Sequence, residues 1–449
     1  MARLFGTDGV RGVANQELTP LLAMQLGQAG AYILTKEADH KPTLMVGCDT
    51  RISGDMLANA LMAGACSVGA NCIYVGVMPT PAIAYLTKSG IADAGVVISA
   101  SHNPVEFNGI KFFDGEGFKL PDAVEDEIEA LIASNMEGVD FKVGTEIGKI
   151  DYQTEAAEAY INHSIAMVHP DLTGYKLVAD CAEGASYYTS IEALRRLGAQ
   201  VIPIHNHPDG TNINAKCGST HMEELMERVL AEGADMGLAF DGDADRFLAV
   251  DEKGRKVDGD QIMAIVGNYL KEKGQLKQNT IVATVMSNLG LFLMAERQGI
   301  RVEKTKVGDR YVLERMKEIG ASIGGEQSGH VIFLDENTTG DGLLSALHLL
   351  QVVKESGKKL SELADIMEVM PQALVNASVP NQKKATFLEN PEIAAAISKL
   401  EEKFAGEGRV LIRPSGTEPL VRVMIEGKDI NVIRQDAEDL AKLITKAMN

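Results

Sequence analysis

The chain is 449 residues long, room for about three domains at roughly 150 residues each. Hydrophobic residues make up 45% and charged residues 24%, a globular balance that excludes disorder as the overall state. Acidic residues outnumber basic ones 63 to 43, a net charge of -20, and aromatics are 5% with no Trp. These figures argue against a non-specific nucleic-acid or anionic-membrane binder and against a stacking platform for single strands. An anionic small substrate stays open, provided a local basic cleft exists inside the acidic protein.

Cys48, Cys66, Cys72, Cys181 and Cys217 are odd in number and form no CxxC pair. Their spacing points to neither a disulfide framework nor a structural zinc site, and fits buried thiols in a reducing cytoplasm. The N-terminal MARLFGTDGVRG lacks the apolar core of a signal peptide. The uncharged stretch 57–87 is broken by Gly and Pro, and reads as a buried helix, a strand and a turn rather than a membrane span.

Helical and strand patterns alternate along most of the chain, which predicts α/β architecture. Strands are expected at 43–49, 72–77 and 94–100, and helices at 55–69 and 122–132. An exposed connection follows at 136–149. A second unit carries helices at 155–167, 190–197 and 222–232, and strands at 175–181, 199–205, 236–240 and 247–254. A third runs through helix 259–273, strand 280–285, helix 289–298, strand 301–305 and helix 309–319. It closes with a Gly-rich segment at 324–329, the strand VIFL and helix 341–355. The last part, with helix 391–404, strands RVLIRP and VRVMIEG and a terminal helix, is a small α+β unit. The boundaries expected are 1–153, 154–255, 256–369 and 370–449. The similar size of the three α/β units hints at duplication.

Four segments carry chemistry. Ser99-Ala100-Ser101-His102-Asn103-Pro104 follows a buried strand, where α/β proteins place ligands, and Lys111 lies ten residues beyond Ser101. No G-x-S-x-G elbow exists, which disfavours serine-hydrolase chemistry. Asp241, Asp243 and Asp245 alternate with small residues between two strands, so three carboxylates can meet on one hard cation. Glu252 sits at the twelfth position of a calcium loop begun at Asp241, but Arg246 occupies the sixth, where such a loop needs Gly. Mg²⁺ is the better fit. In Gly324-Gly325-Glu326-Gln327-Ser328-Gly329-His330, glycines allow close backbone approach and Glu326 and Ser328 can bond sugar hydroxyls. In Arg413-Pro414-Ser415-Gly416-Thr417-Glu418-Pro419, with Arg422 nearby, a guanidinium, two hydroxyls and backbone amides can cradle phosphate. Neither a P-loop nor a dinucleotide fingerprint is present.

Taken with FGTDGVRG, NGIKFF and VGDRYV, the segments ISASHNP, AFDGDADR, GGEQSGH and RPSGTEP resemble the α-D-phosphohexomutase superfamily, most of all its bacterial phosphoglucosamine mutase branch. The resemblance covers essentially the whole chain. It implies three related α/β domains of mixed sheet plus a smaller C-terminal α+β domain around a central cleft. It implies interconversion of glucosamine 6-phosphate and glucosamine 1-phosphate on the route to UDP-N-acetylglucosamine and peptidoglycan. Glucosamine 1,6-bisphosphate would serve as intermediate or activator, with one Mg²⁺ per subunit.

By the same resemblance, Ser101 matches a phosphoserine, and Asp241, Asp243 and Asp245 match Mg²⁺ ligands completed by its phosphate. Glu326 and Ser328 match sugar-recognition positions. Arg413, Ser415, Gly416 and Thr417 match a loop holding the non-reacting phosphate. Arg11, Lys111 and His330 match positions that assist proton transfer or steady the phosphoryl group. His102, Arg246, Arg310 and Arg422 join them as substrate-side residues. Arg11, Lys111, Arg246, Arg310, Arg413 and Arg422 would form the basic cleft. Members of the glucosamine branch are often dimers, and a homodimer stays open; no nucleic-acid or membrane partner is implied. Cys48, where relatives often carry Arg, and Glu183, where many carry Asn, depart from the pattern. A phosphomannomutase or phosphoglucomutase is the near alternative, against which GGEQSGH weighs. A Mg²⁺-dependent phosphohydrolase and a non-catalytic sugar-phosphate sensor are the alternatives of another class.

Overall fold

The computed structural model describes residues 3–449 except Thr7, Glu37, Thr154, Gly416 and Thr417. Residues 1–286 and 300–366 form one compact unit, and 287–299 with 367–449 form a second.

The first unit holds three mixed sheets. The first comprises β1 (Phe5–Gly6), β2 (Gly9–Val13), β3 (Thr43–Cys48), β4 (Asn71–Val77), β5 (Ala94–Ile98), β6 (Phe107–Phe113) and β7 (Ile150–Tyr152), in the order β1-β2-β6-β5-β3-β4-β7. The second comprises β8 (Lys176–Asp180), β9 (Gln200–Ile204), β10 (Met236–Phe240), β11 (Phe247–Asp251) and β12 (Lys256–Val257), ordered β12-β11-β10-β8-β9. The third comprises β13 (Thr280–Thr284), β14 (Arg301–Thr305), β15 (Ile323–Gly325) and β16 (Val331–Phe333), ordered β14-β13-β15-β16.

All three share one plan. Two successive strands pair in parallel, a third pairs in parallel with the first, and a fourth returns antiparallel to the third. The α/β reading is thus correct, and the likeness of size noticed in the sequence reflects a common topology. The central strands β5, β10 and β13 are buried at every position, as expected for apolar runs covered on both faces.

Several elements escape the sequence pattern. The helix Pro20–Leu34 is rich in small residues, because it crosses the helix Gly54–Ser67 closely. A Cβ at Gly27 would lie 2.0 Å from the Leu61 carbonyl oxygen, and one at Gly64 would lie 2.1 Å from that of Met24. Thr19 caps its first turn by accepting from Leu22 N–H. The turn expected before residue 87 continues as the helix Thr80–Leu86, with Pro81 in its first turn, where a missing N–H costs nothing. The Gly-rich 324–329 segment opens as β15, since pairing with β13 overrides the low strand preference of glycine.

In the second unit β17 (Gln372–Ser378), β18 (Arg409–Pro414) and β19 (Leu420–Glu426) form an antiparallel sheet ordered β17-β19-β18. The helix Pro391–Phe404 lies between β17 and β18 in sequence and Ile430–Met448 follows β19, and Val421, Val423, Ile425, Ile433, Leu440 and Ile444 are in the core of this unit. Among the described residues no helix is long and apolar enough to cross a membrane.

Candidate active site

Three of the four sequence segments occupy the same topological position, the connection between the third and fourth strand of their sheets. Residues 99–106 join β5 to β6, 241–246 join β10 to β11, and 326–330 join β15 to β16. The pairs that close these connections are Ile98 with Ile110, Phe240 with Phe247, and Gly325 with Val331. The connections also touch one another. Phe247 N donates to Gly329 O at 3.0 Å, and Ser101 Oγ donates to Asp241 Oδ2 at 2.6 Å.

Ser101 is buried and holds a positive φ of 51°, a left-handed conformation that a non-glycine residue keeps only when its surroundings enforce it. Its N–H donates to Ser99 Oγ at 2.9 Å. Its carbonyl accepts from Arg51 Nη2 at 3.0 Å and from Asn214 Nδ2 at 2.8 Å. His102 Nδ1 lies 3.2 Å from Ser101 Oγ. Burial, then the charges of Arg246 and Arg11, push the His102 imidazole down to about 4, so at neutral pH it is uncharged.

Asp241, Asp243 and Asp245 are all buried, with one oxygen of each within 4.8 Å of the others. Asp243 Oδ2 accepts from Lys111 Nζ at 2.9 Å and Thr80 Oγ1 at 2.7 Å. Asp245 Oδ2 lies 3.5 Å from His330 Nδ1. The second oxygens, Asp243 Oδ1 and Asp245 Oδ1, are buried with no hydrogen-bond partner. Burial, followed by the neighbouring Asp245 and Asp243, drives the Asp241 carboxyl well above the usual range. Burial acts on Asp245 in the same sense, but His330, Lys111 and Arg246 hold it well below. Partnerless buried carboxylate oxygens and a mutually repelling trio are relieved by one hard cation, so these residues can hold a metal. Glu252 is engaged elsewhere, accepting from Ser361 N at 3.2 Å, which removes the calcium-loop alternative.

Lys111 extends the site. Its ammonium is buried, which lowers its proton affinity, but Asp243, Asp8 and Asp245 more than offset this and raise it to about 12. Asp8 Oδ2 lies 2.9 Å from Lys111 Nζ, Asp8 Oδ1 accepts from Lys119 Nζ at 2.6 Å, and Arg11 also pairs with Asp8. Burial opposes ionisation of Asp8, yet Lys111, Lys119 and Arg11 hold its carboxyl well below the usual range. Lys119 pairs in turn with Asp309, whose Oδ2 lies 3.6 Å from His330 Nε2. His330 Nε2 accepts from Gly340 N at 3.1 Å, which places the ring proton on Nδ1, facing Asp245.

Of the remaining residues singled out in sequence, Arg246 N donates to Asp241 Oδ1 at 3.1 Å, and its Nε approaches Asp245 Oδ1 to 3.9 Å. Glu326 Oε1 accepts from Gly308 N at 3.0 Å. Ser328 Oγ is buried without a partner. Arg310 turns to Asp122 and Glu314. In the second unit Ser415 Oγ accepts from Glu418 N at 3.2 Å, Arg422 pairs with Glu418, and Arg413 faces Arg422 across β18 and β19. Gly416 and Thr417 lie outside the described residues.

Sequence reasoning missed Asp8, Lys119, Asp309, Thr80, Asn214 and the pair Asp49 and Arg51. Asp8 and Asp309 lie inside the segments FGTDGVRG and VGDRYV but were not singled out, and Asp49 and Arg51 carried a signal of position, following β3 as Ser101 follows β5.

Family models for the phosphoglucomutase/phosphomannomutase α/β/α domains I, II and III match residues 2–138, 158–254 and 258–370, and that for the C-terminal domain matches 374–443. A phosphoglucosamine mutase of Ruminiclostridium cellulolyticum is 62% identical over 444 residues, 99% of each chain. One of Clostridium acetobutylicum is 59% identical over 449 residues, 100% of each. Among solved structures, a phosphoglucomutase/phosphomannomutase family protein of Burkholderia thailandensis has the same fold, with a TM-score of 0.83 at 22% identity over 100% of this chain and 98% of that one. So does the N-acetylphosphoglucosamine mutase of Aspergillus fumigatus, solved with GlcNAc-6P and magnesium, with a TM-score of 0.67 at 17% identity over 99% and 95%. The chain belongs to the phosphoglucomutase/phosphomannomutase family and, within it, to the phosphoglucosamine mutases, a group of isomerases.

Proposed function

We propose that the chain interconverts glucosamine 6-phosphate and glucosamine 1-phosphate through a phosphoryl group carried on Ser101 Oγ. The observation that supports this most directly is the buried Ser101 Oγ, 2.6 Å from Asp241 within a trio whose other members keep two carboxylate oxygens unpartnered. Asp241, Asp243 and Asp245 would hold Mg²⁺, with the Ser101 phosphate completing the site. When bound, the ion supplies positive charge against the oxygens of a phosphoryl group in transfer.

A sugar hydroxyl oxygen bonds to phosphorus while the bond from phosphorus to Ser101 Oγ breaks, giving glucosamine 1,6-bisphosphate. The hydroxyl proton leaves and Oγ gains one. The bisphosphate then turns, and its other phosphate returns to Ser101. Lys111 and Arg11 carry positive charge beside the reacting group. His330 holds a proton on Nδ1, and with Lys111 is a candidate for proton transfer. Glu326 and Ser328 would read the sugar, with His102, Arg246 and Arg310 beside them. Arg413, Ser415, Gly416, Thr417 and Arg422 would receive the phosphate that is not reacting. The product would feed UDP-N-acetylglucosamine synthesis in the cytoplasm.

Peptide mass spectrometry and a mutase assay test this reading. The Ser101 peptide should carry about 80 Da of phosphate, and the protein should convert glucosamine 6-phosphate in preference to glucose and mannose 6-phosphates. Failure on all three sugars after priming with a sugar bisphosphate would reject it.

A further inference from the structure

Away from that site, a carboxylate, an imidazole and a thiol converge near the ends of β8 and β9. Asp180, His205 and Cys217 each bring one ligand atom to within 4.8 Å of the other two. We propose that they form a second metal site, for Zn²⁺, and that it fastens both ends of the 205–217 loop.

Asp180 and Cys217 are buried, and His205 is mostly so. The carboxylate is set in place by two backbone donors, Ala182 N to Oδ1 and Gly218 N to Oδ2, both at 2.9 Å. Each oxygen keeps a further acceptor site. His205 Nδ1 lies 3.1 Å from Asp180 Oδ2, an ion pair when the ring is protonated although no ring hydrogen is aligned between the two atoms; contact with Asp180 raises the imidazole against the effect of burial, and Glu224 and Glu183 act in the same sense. Three acidic neighbours that draw a proton onto this ring would equally draw a cation, and with the proton displaced Nδ1 and Oδ2 are placed to share a metal. The other ring nitrogen, Nε2, lies 3.3 Å from Glu224 Oε2. A carboxylate behind the far nitrogen of a ligating imidazole fixes its tautomer and orientation. Thiolate, imidazole and carboxylate together suit Zn²⁺, whereas the all-oxygen aspartate trio suits Mg²⁺. Asp180 ends β8, and His205 and Cys217 stand twelve positions apart at the two ends of one loop, spacings that match no zinc motif in the sequence.

The loop matters to the first site. Between its ends, Asn214 Nδ2 donates to the carbonyls of Ser101 at 2.8 Å and Asn103 at 3.1 Å, and Gly210 O accepts from Ile52 N at 2.8 Å. A metal joining His205 and Cys217 would shorten the free loop that carries Asn214 and so hold the clamp on the Ser101 turn.

The test is a Co²⁺ titration of the full-length, reduced, metal-stripped protein, read by ultraviolet thiolate-to-cobalt charge transfer, which the aspartate trio cannot produce. The expected band saturates at one equivalent and is displaced by Zn²⁺. It is lost in Cys217→Ser and His205→Gln and kept in Asp243→Asn. Glu224→Gln should weaken Co²⁺ binding by about 10- to 100-fold. Absence of the band from the wild-type protein, which needs no variant to fold, overturns the proposal, as does a band that survives Cys217→Ser.

Discussion

Arg51 Nη2 donates to the carbonyl oxygen of Ser101 at 3.0 Å, with Arg51 only 3% and Ser101 only 2% exposed. The same guanidinium donates to the carbonyls of Asn103 and Pro104, and its Nε donates to Asp49 Oδ2 at 2.9 Å. Asp49 Oδ2 also accepts from Ser99 Oγ, which in turn accepts from Ser101 N. This closed circuit is what keeps Ser101 at its positive φ, with Oγ turned to Asp241. It depends on a planar fork of donors that no other side chain offers.

Arg51→Ala should therefore remove the charged partner of the buried Asp49 carboxylate, the guanidinium donor to Pro104 O, and one of the two side-chain donors to the carbonyls of Ser101 and Asn103. Loss of one half of a buried ion pair costs about 3–5 kcal/mol. Denaturant unfolding should show that loss, and Arg51→Lys should recover only part of it, because the three donors of one ammonium cannot meet three carbonyls and the Asp49 carboxylate at once. A change below about 1 kcal/mol would match a surface substitution and contradict this account.

Ser101→Ala should abolish turnover and the added phosphate mass while leaving the circular dichroism spectrum unchanged, since only Oγ is removed. Retained mutase activity would exclude a phosphoserine relay.

Asp243→Asn should raise the Mg²⁺ concentration needed for half-maximal activity by more than about tenfold, the lower end of what loss of even an outer partner costs a metal site. It also weakens the contact with Lys111. Chelation should silence the wild-type enzyme, and added Mg²⁺ should restore it. Matching Mg²⁺ curves for the two proteins would remove the trio as the metal site.

Gly259 starts the helix Gly259–Glu272 against the 326–330 turn. A Cβ there would lie 2.2 Å from Glu326 O and 2.8 Å from Gly329 N. Gly259→Ala must displace that turn, at a cost of about 1–3 kcal/mol. We expect kcat/KM for the sugar phosphate to fall about tenfold, equivalent to ~1.4 kcal/mol. Unchanged kinetics would show that the turn does not position substrate.

Asp341 caps the helix Gly342–Ser356 through Leu344 N and accepts from Tyr160 Oη at 2.8 Å, fully buried. Burial raises its carboxyl to about 6 despite those donors. Because the folded state holds this proton more tightly than the unfolded chain, the contribution to stability is present below about pH 4 and is lost as the pH rises through about 6. The shift is worth up to about 3 kcal/mol. The stability of wild type minus that of Asp341→Asn, measured by denaturant unfolding, should therefore fall by that order between about pH 4 and pH 7. A difference that does not move with pH would mean that folding leaves the Asp341 carboxyl unshifted.

Much of the site was legible because its chemistry is written in short segments. Asp241, Asp243 and Asp245 alternate within one turn, Ser101 and His102 are adjacent, and Glu326 and His330 share a loop. Strands such as β5, β10 and β13 were legible from unbroken apolar runs. The helix Pro20–Leu34 was not, since its small residues answer to a neighbouring helix. Asp8 and Lys119 were not, because their roles lie in contacts between distant segments: the two meet 2.6 Å apart across 111 positions of chain.

By itself the sequence determined the α/β class, the residue types at each turn and the chemistry those types allow, since these follow from local pattern and composition. Only the tertiary structure decided that three equivalent turns meet. It also decided that Arg51 and Asn214 hold Ser101 from two sides, and that Asp8 and Asp309 link Lys111, Lys119 and His330 into one buried charge network. The physical reason is range. Strand and helix preferences act over a few residues, whereas buried ion pairs and hydrogen bonds to a single carbonyl depend on which distant segments the sheets bring within 3 Å of one another.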